Sequence, residues 1–246
     1  MKKGLLIFGF IVRCLLIQAN PEYKIEQNIV EADENSFILK ILADASELAP
    51  IDPDSAIINF DFAVSAAEKS QNRTLQLQVY LISAEACNTM SRFTQTYKYA
   101  KKAEKVAEEL NDIDGIVRSE VIISSILNTQ GKFKQSNEIL IKAIEKAGKS
   151  GNALLISKVL NELSVNYALM ENYAKALEYE YKAINLKEKL KDTASVIQYL
   201  NNISEIYQKA NDLGNTEKTI LRIIELYKKT RQKEFIPENY LLPDLM

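Results

Sequence analysis

The fold is decided by two consecutive rows of sequence, ALLISKVLNELSVNYALMENYAKALEYEYKAINLKEKL (residues 153–190) and TASVIQYLNNISEIYQKANDLGNTEKTILRIIELYKKT (residues 193–230). When the rows are aligned, apolar, small and aromatic residues recur at a constant spacing of 40 residues. The matched pairs are Leu160 and Leu200, Leu163 and Ile203, Ser164 and Ser204, Tyr167 and Tyr207, Tyr173 and Leu213, Ala176 and Thr216, and Ala183 and Ile223. A fixed period in this range indicates a repeat protein, in which each unit buries its apolar side against its neighbours.

Five columns of residues extend this period towards the N-terminus. They are Ala63, Ala103, Ala143, Ala183 and Ile223; Ala56, Thr96, Ser136, Ala176 and Thr216; Ala84, Ser124, Ser164 and Ser204; Phe93, Phe133, Tyr173 and Leu213; and Asn72, Asp112, Asn152 and Asp192. The small residues predict antiparallel helices that approach closely. The Asn and Asp residues predict helix N-caps, and Gly131 and Gly214 are expected at turns inside hairpins, where a left-handed residue is tolerated.

Composition favours an all-α chain. No proline lies between Pro53 and Pro237, so this long stretch lacks the residue that most strongly breaks a helix. Ala, Leu, Glu, Lys and Ile dominate the stretch, and 47% of the chain is hydrophobic, which is normal for a folded protein. We therefore expect a succession of helices with short loops and no strands.

Leu163, Ser164, Tyr167, Tyr173, Ala176 and Ala183 together resemble the tetratricopeptide repeat (TPR) pattern. Leu160 and Leu200 depart from it where tryptophan is usual, and Glu180 stands where an aromatic residue is usual. The period exceeds the usual 34 residues and is similar to the longer variety of bacterial regulatory and sensor proteins. The resemblance implies a right-handed α-solenoid of about five antiparallel helix hairpins over residues 36–230. The expected repeats are residues 36–70, 73–111, 113–150, 153–190 and 193–230.

Both ends of the chain are expected to lie outside these repeats. Residues 1–20 carry two lysines before an apolar run and are similar to a secretory signal peptide, which predicts an exported protein, periplasmic or secreted. An uncleaved N-terminal anchor is the alternative. Residues 21–35 are expected to be an irregular lead-in before a helix from about Ser36 to Leu48. Residues 231–246 are expected to form a tail that folds back over the last hairpin.

The residue types present argue against catalysis. The chain has no histidine, which removes the commonest general base and most zinc sites, and it has no glycine-rich phosphate-binding motif. Acid pairs such as Glu108 with Glu109 and Glu178 with Glu180 are interpreted as solvated surface, and Cys87 as a buried small side chain. We expect no enzyme activity, no metal and no cofactor.

Charge and aromatic residues exclude further functions. The net charge is −2, and without the three cations of residues 1–19 it is −5, which gives no electrostatic footprint for nucleic acid. No segment after the leader is apolar enough to span a membrane. The tyrosines Tyr97, Tyr99, Tyr179 and Tyr181 are interpreted as packing residues rather than as ligand platforms.

Binding is the function that remains, because stacked hairpins form an extended concave surface. The TPR resemblance places the groove-facing residues two, six and nine places into the motif of each repeat. In three repeats these are Arg118, Ile122 and Ser125; Lys158, Glu162 and Val165; and Gln198, Asn202 and Glu205. Their mixed chemistry predicts another protein or a peptide segment as the partner. The alternative is the ligand- or peptide-sensing portion of a bacterial signalling protein that lacks its DNA-binding or kinase module. The oligomeric state stays open.

Overall fold

The structure is a computed structural model that describes residues 22–229, with side chains from Glu34 onward. These residues form ten α-helices and no strand, which confirms the all-α prediction. The helices are α1 (Glu22–Leu48), α2 (Pro53–Lys69), α3 (Arg73–Thr89), α4 (Phe93–Leu110), α5 (Ile113–Thr129), α6 (Phe133–Ser150), α7 (Ala153–Leu169), α8 (Tyr173–Lys189), α9 (Thr193–Lys209) and α10 (Leu213–Lys229). Within this range, no helix has both the length and the apolar character needed to cross a bilayer. The predicted leader at residues 1–20 and the predicted tail at residues 231–246 lie outside it.

Helix α1 begins earlier than the sequence predicted. Residues 22–35, expected to be an irregular lead-in, belong to α1. They contain neither proline nor glycine, the two residues that most disfavour a helix interior. Polar composition without a helix breaker therefore does not prevent a helix.

The chain divides within α3 into two compact units, one ending at Val79 and the other beginning at Tyr80. In the first unit, α1 packs against α2, and Ile38, Leu42, Phe60 and Val64 are buried. The second unit holds the end of α3 and helices α4 to α10, and it contains all nine residues of the predicted groove.

Helices α5 to α10 form three antiparallel hairpins joined by connections of two or three residues. Each helix from α4 to α10 packs against the next one along the chain. The first helices of consecutive hairpins also approach each other, with Cα atoms of α5 and α7, and of α7 and α9, within 8 Å. Among the described residues, no comparable approach joins α6 to α8 or α8 to α10. The layer of first helices is therefore the tighter one in this unit.

The three small-residue columns are buried in every repeat. Every member of the column Ala63, Ala103, Ala143, Ala183 and Ile223 is fully buried. Inside hairpins, the Ser136 hydroxyl donates to the Ser124 carbonyl at 3.1 Å, and the Ser164 hydroxyl donates to the Ala176 carbonyl at 2.8 Å. These bonds join two of the small-residue columns and confirm the predicted close approach of the paired helices.

The Asn and Asp column caps the first helices, as predicted. The side-chain oxygens of Asn72, Asp112, Asn152 and Asp192 each accept a hydrogen bond from the backbone N–H three residues later, at 2.9–3.2 Å. Hydrogen bonds from Ser195 and Lys187, together with the Ser195 N–H, lower the pKa of Asp192 to about 2. The caps satisfy N–H groups that have no partner inside a helix.

The turns that follow first helices use a left-handed residue at one position of the repeat. Ser91, Gly131, Glu171 and Asn211 occupy it, with φ between 57° and 70°. The prediction for Gly131 is confirmed, and the prediction for Gly214 is wrong because Gly214 lies in the first turn of α10. Asn211 takes the left-handed conformation there, which asparagine adopts more readily than most residues.

Candidate functional site

The nine predicted groove residues lie on the first helices α5, α7 and α9, but they are not equally accessible. Ile122 is 3% exposed and packs in the core, so a ligand cannot contact it directly. Gln198 and Glu205 are exposed, whereas the other six are half-buried. The first-helix layer therefore presents eight of the nine side chains at least partly to solvent.

A carboxylate that the sequence analysis missed joins two of these residues. Glu85, near the end of α3, contacts Arg118 Nη2 at 3.1 Å and Lys158 Nζ at 3.0 Å. Burial alone would raise the pKa of Glu85, but the charges of Lys158 and Arg118 outweigh burial and lower it. Glu85 occupies the same repeat position as Ser125, Val165 and Glu205, so extending the period by one repeat would have found it.

A cleft between α7 and α9 lies on this layer. Its volume is about 110 Å³, and it brings together three predicted residues, Val165, Asn202 and Glu205. The remaining lining residues are Ser164, Ala168, Leu169, Ile206 and Lys209. Glu205 and Lys209 form an ion pair of 2.8 Å on its rim. The cleft lining is thus mixed, with four apolar residues, the polar Ser164 and Asn202, and an ion pair at its edge.

Directly behind the cleft wall lies Glu180, and its prediction as solvated surface is wrong. Glu178 is exposed, but Glu180 is 0% exposed. The reason is its place in the repeat, since Glu180 belongs to a column with Phe60, Leu140 and Ile220, all buried. The 40-residue period contained this signal, and local charge patterning concealed it.

Asn202 connects the buried carboxylate to the cleft. Its Nδ2 donates to Glu180 Oε1 at 2.9 Å and to Asn161 Oδ1 at 2.8 Å. Burial raises the pKa of Glu180 to about 7, although the Asn202 amide and the nearby Ser164 hydroxyl lower it, and the nearby Glu162 adds to the rise. Burial also raises the pKa of Glu162, against the opposing charge of Lys158. Two carboxyl groups with raised pKa values therefore lie beside the predicted groove.

The remaining candidate residues have mainly structural surroundings. Cys87 is buried, as predicted. Tyr99 is also buried, and Tyr179 stacks on Tyr167 with a centroid separation of 5.4 Å. Tyr97 and Tyr181 keep exposed rings, although the Tyr181 hydroxyl lies 3.1 Å from that of Tyr207. Among the described residues, no three His, Cys, Asp or Glu side chains are grouped as a metal site would require.

Comparison with known proteins identifies the fold. No family model matches the chain, and no curated protein matches it. Solved structures do match. A Rap protein complexed with competence and sporulation factor has a TM-score of 0.66 and 18% identity, over 70% of this chain and 48% of that one. Aspartyl phosphate phosphatase F from Bacillus subtilis has a TM-score of 0.69 and 15% identity, over 96% of this chain and 66% of that one. A kinesin light chain with TPR-like repeats from Podosopora anserina has a TM-score of 0.62 and 12% identity, over 81% of this chain and 98% of that one.

These neighbours establish that the chain has a TPR-like fold, as the resemblance implied. Their identities are low, so the likeness extends to the fold alone. The chain spans about half the length of the Rap protein.

Proposed function

We propose that this chain is a non-enzymatic scaffold that binds another protein or a peptide segment along its first-helix layer. The observation that carries the proposal is the cleft between α7 and α9, which contains Val165, Asn202 and Glu205. Binding sites are typically concave and mostly apolar, with a few polar groups that fix orientation. This cleft has those properties at the place that the TPR resemblance predicts.

The charges around the cleft favour a partner with both polar and apolar contacts. Glu85 neutralises one of the two charges of Arg118 and Lys158, and Lys209 pairs with Glu205. Because these cations are already paired, the groove has little excess positive charge to attract an acidic ligand. The apolar residues of the cleft are then the main source of affinity. A hydrogen bond accepted by Asn202 Oδ1 gives direction, because both N–H donors of Asn202 already bond within the protein.

The fold neighbours support a binding role. The Rap protein was solved in complex with a separate factor, so a fold of this kind accommodates a bound molecule. In this chain the described groove offers hydrogen-bonding groups and apolar contacts, and none of its side chains forms a nucleophile paired with a base. Binding without catalysis is therefore the function that we assign, without a cofactor or metal.

A second candidate is the sensing portion of a bacterial signalling protein that works with a separate output module. The Rap complex favours it, because this chain matches 48% of that protein. The two candidates differ in how a partner responds to a short peptide. A sensor changes its retention of a DNA-binding or kinase partner when peptide is added, whereas a scaffold holds its partner unchanged.

A cleft-blocking variant tests the proposal. Val165→Arg places a long cation in the cleft, while Lys142→Glu changes an exposed residue of α6 on the other helix layer. In a pull-down from the native host, we expect a partner that the wild type and Lys142→Glu recover equally and that Val165→Arg loses. Charge reversal at Arg118 and Lys158 is less informative, because it would also leave Glu85 without its cations. Equal recovery of the partner by all three forms would contradict the groove as the binding surface.

We propose further that residues 1–20 direct export, as their similarity to a signal peptide suggests. N-terminal sequencing of the protein recovered from the periplasm or medium is expected to begin at about residue 20. A protein that keeps Met1 and pellets with membranes would favour the uncleaved anchor.

A further inference from the structure

We propose that Glu180 is protonated behind the wall of the α7–α9 cleft, and that loss of this proton makes the wall at Ser164 and Asn202 rearrange and weakens the binding of a ligand in the cleft. Glu180 is then a positioning residue, and its effect on ligand binding rests on the proposed function. Glu180 itself does not line the cleft. It acts through Asn202, which does.

One amide group links the two places. Asn202 carries two N–H donors, and its Nδ2 lies 2.9 Å from Glu180 Oε1 and 2.8 Å from Asn161 Oδ1. Both donors are therefore used, one towards α8 and one towards α7. These two hydrogen bonds set the orientation of the Asn202 side chain and leave the rest of its surface facing the cleft.

The second oxygen of Glu180 indicates which protonation state this arrangement fits. Glu180 Oε2 is buried and accepts no hydrogen bond from the described residues. The Ser164 hydroxyl lies beside the carboxyl group, but its proton is donated to the Ala176 carbonyl at 2.8 Å. A protonated Glu180 can donate its O–H to the free lone pairs of Ser164, whereas an ionised Glu180 keeps the Asn202 donor at Oε1 and leaves its other buried oxygen, Oε2, without one. Such a group is strongly disfavoured in an apolar interior.

The groups around Glu180 do not compensate an ionised form. From α7, Glu162 faces it with a like charge, and Lys158 lies nearer to Glu162 and Glu85. From α9, Tyr199 faces it, and Tyr199 in turn is near Asp192 at the N-cap of that helix. No described cation lies within 4.0 Å of the Glu180 carboxylate. Burial accordingly raises its pKa to about 7.

Ionisation therefore requires water to reach the carboxylate. Ser164 and Asn202 both line the cleft and both adjoin Glu180, so the cleft wall offers that water a route. Movement of Asn202 would open it. A ligand that fills the cleft excludes the water and favours the protonated form, so binding takes up a proton. By linkage, affinity falls by about tenfold for each pH unit above 7 while the bound form keeps its proton.

Nuclear magnetic resonance of the full chain tests the inference without any ligand. We would follow the Glu180 carboxyl carbon and the side-chain NH₂ groups of Asn202 and Asn161 from pH 5 to 9, assigned by through-bond correlation in the wild type. The expected result is a carboxyl midpoint near pH 7 and amide shifts with the same midpoint. A Glu180 midpoint near its ordinary value of 4.5, or amide signals that ignore the Glu180 titration, would overturn the proposal.

Two variants separate positioning from general stability. Glu180→Gln keeps an acceptor for Asn202 and cannot titrate, so the amide shifts between pH 6 and 8 should vanish. Glu178→Gln, at an exposed site two residues away, should leave them unchanged. Loss of the shifts in both variants, or persistence in Glu180→Gln, would contradict the role of Glu180. Partner recovery at pH 6 and pH 8 then adds the ligand readout. If no partner is recovered at any pH, the proposed function fails. The carboxyl and amide signals then still show whether Glu180 titrates near pH 7 and acts on Asn202.

Discussion

Leu140 and Glu180 occupy the same place in two consecutive hairpins, and both are 0% exposed. Around Leu140 the core is apolar, with Val121, Val159 and Leu163. Around Glu180 the corresponding neighbours have changed as well. Asn161 stands one repeat after Val121, and Asn202 stands one repeat after Glu162. The repeat therefore fixes the geometry of a position, while a small group of neighbouring side chains decides whether that position accepts a carboxyl group.

The largest expected effect comes from placing the carboxyl group where its partners are missing. Leu140→Glu puts a titratable side chain into the apolar core without an amide donor. We expect a loss of about 4 kcal/mol in the free energy of unfolding at pH 8, since an unpaired buried charge is among the most destabilising changes. Urea titration measures it, and Glu138→Gln at an exposed site of the same helix should change little. A loss below ~1 kcal/mol would show that the two sites are not chemically distinct.

Removing the charge at Glu180 should have the next largest effect, in a defined pH window. The folded pKa of about 7 lies above the ordinary value of 4.5, so the unfolded chain releases this proton first as pH rises. Wild-type stability therefore falls between pH 4.5 and 7 and levels off above 7. Glu180→Gln should remove this slope and be more stable than wild type by about 2–3 kcal/mol at pH 8.5.

Parallel unfolding curves at pH 4 and pH 8.5 check the sign. At pH 4 both forms carry a neutral side chain, so their free energies of unfolding should agree within ~1 kcal/mol. A wild type that gains stability relative to Glu180→Gln as pH rises would contradict the assignment.

The partnership of Asn202 with Glu180 is expected to appear as a coupling energy. Asn202→Ala should lower stability by about 1–3 kcal/mol, because Glu180 Oε1 loses its donor. In a Glu180→Leu background, which copies Leu140, the same change should cost less, because only the bond to Asn161 is then lost. A double-mutant cycle measures the difference. As a control, Gln198→Ala, at an exposed site of the same helix, should be additive with Glu180→Leu. If Asn202→Ala is also additive with Glu180→Leu, the two side chains are not coupled.

The smallest effect concerns the turns between hairpins, where consecutive repeats again differ at one position. Gly151 and Lys191 both have positive φ, at 69° and 57°, which is strained for lysine and relaxed for glycine. Lys191→Gly should stabilise the protein by about 0.5 kcal/mol, and Gly151→Ala should destabilise it by about 1 kcal/mol. Nothing lies within 4 Å of a Cβ at Gly151, so backbone strain alone acts there. Thermal unfolding of both variants measures these changes in stability. A change of the opposite sign in either variant would contradict backbone strain as the cause.

The sequence could predict the architecture because the repeat averages over many residues. The buried columns, the caps at Asn72 and Asp192, and the left-handed Gly131 all follow from one period combined with local chemistry. Individual departures were harder to predict. Glu180 has charged neighbours in the sequence, so charge patterning indicated surface, and only comparison with Leu140 one repeat earlier indicates burial.

For the candidate site, the sequence indicated a set of positions but not the bonding among them. The motif positions located Val165, Asn202 and Glu205 on the cleft, yet Ile122 at an equivalent position is buried. The pairing of Glu85 with Arg118 and Lys158 depends on how the ends of successive first helices align, which periodicity does not specify. The bridge from Asn202 to Glu180 likewise requires the packed hairpins.

Site-specific photocrosslinking tests the binding role of the first-helix layer most directly. A benzoylphenylalanine at position 165 reports on the α7–α9 cleft, and the same group at position 178 reports on the exposed side of α8. We predict that a partner is crosslinked from position 165, that excess wild-type protein suppresses this product, and that position 178 gives none. Equal crosslinking from both positions, or crosslinking from position 178 alone, would contradict the assignment of this groove as the binding surface.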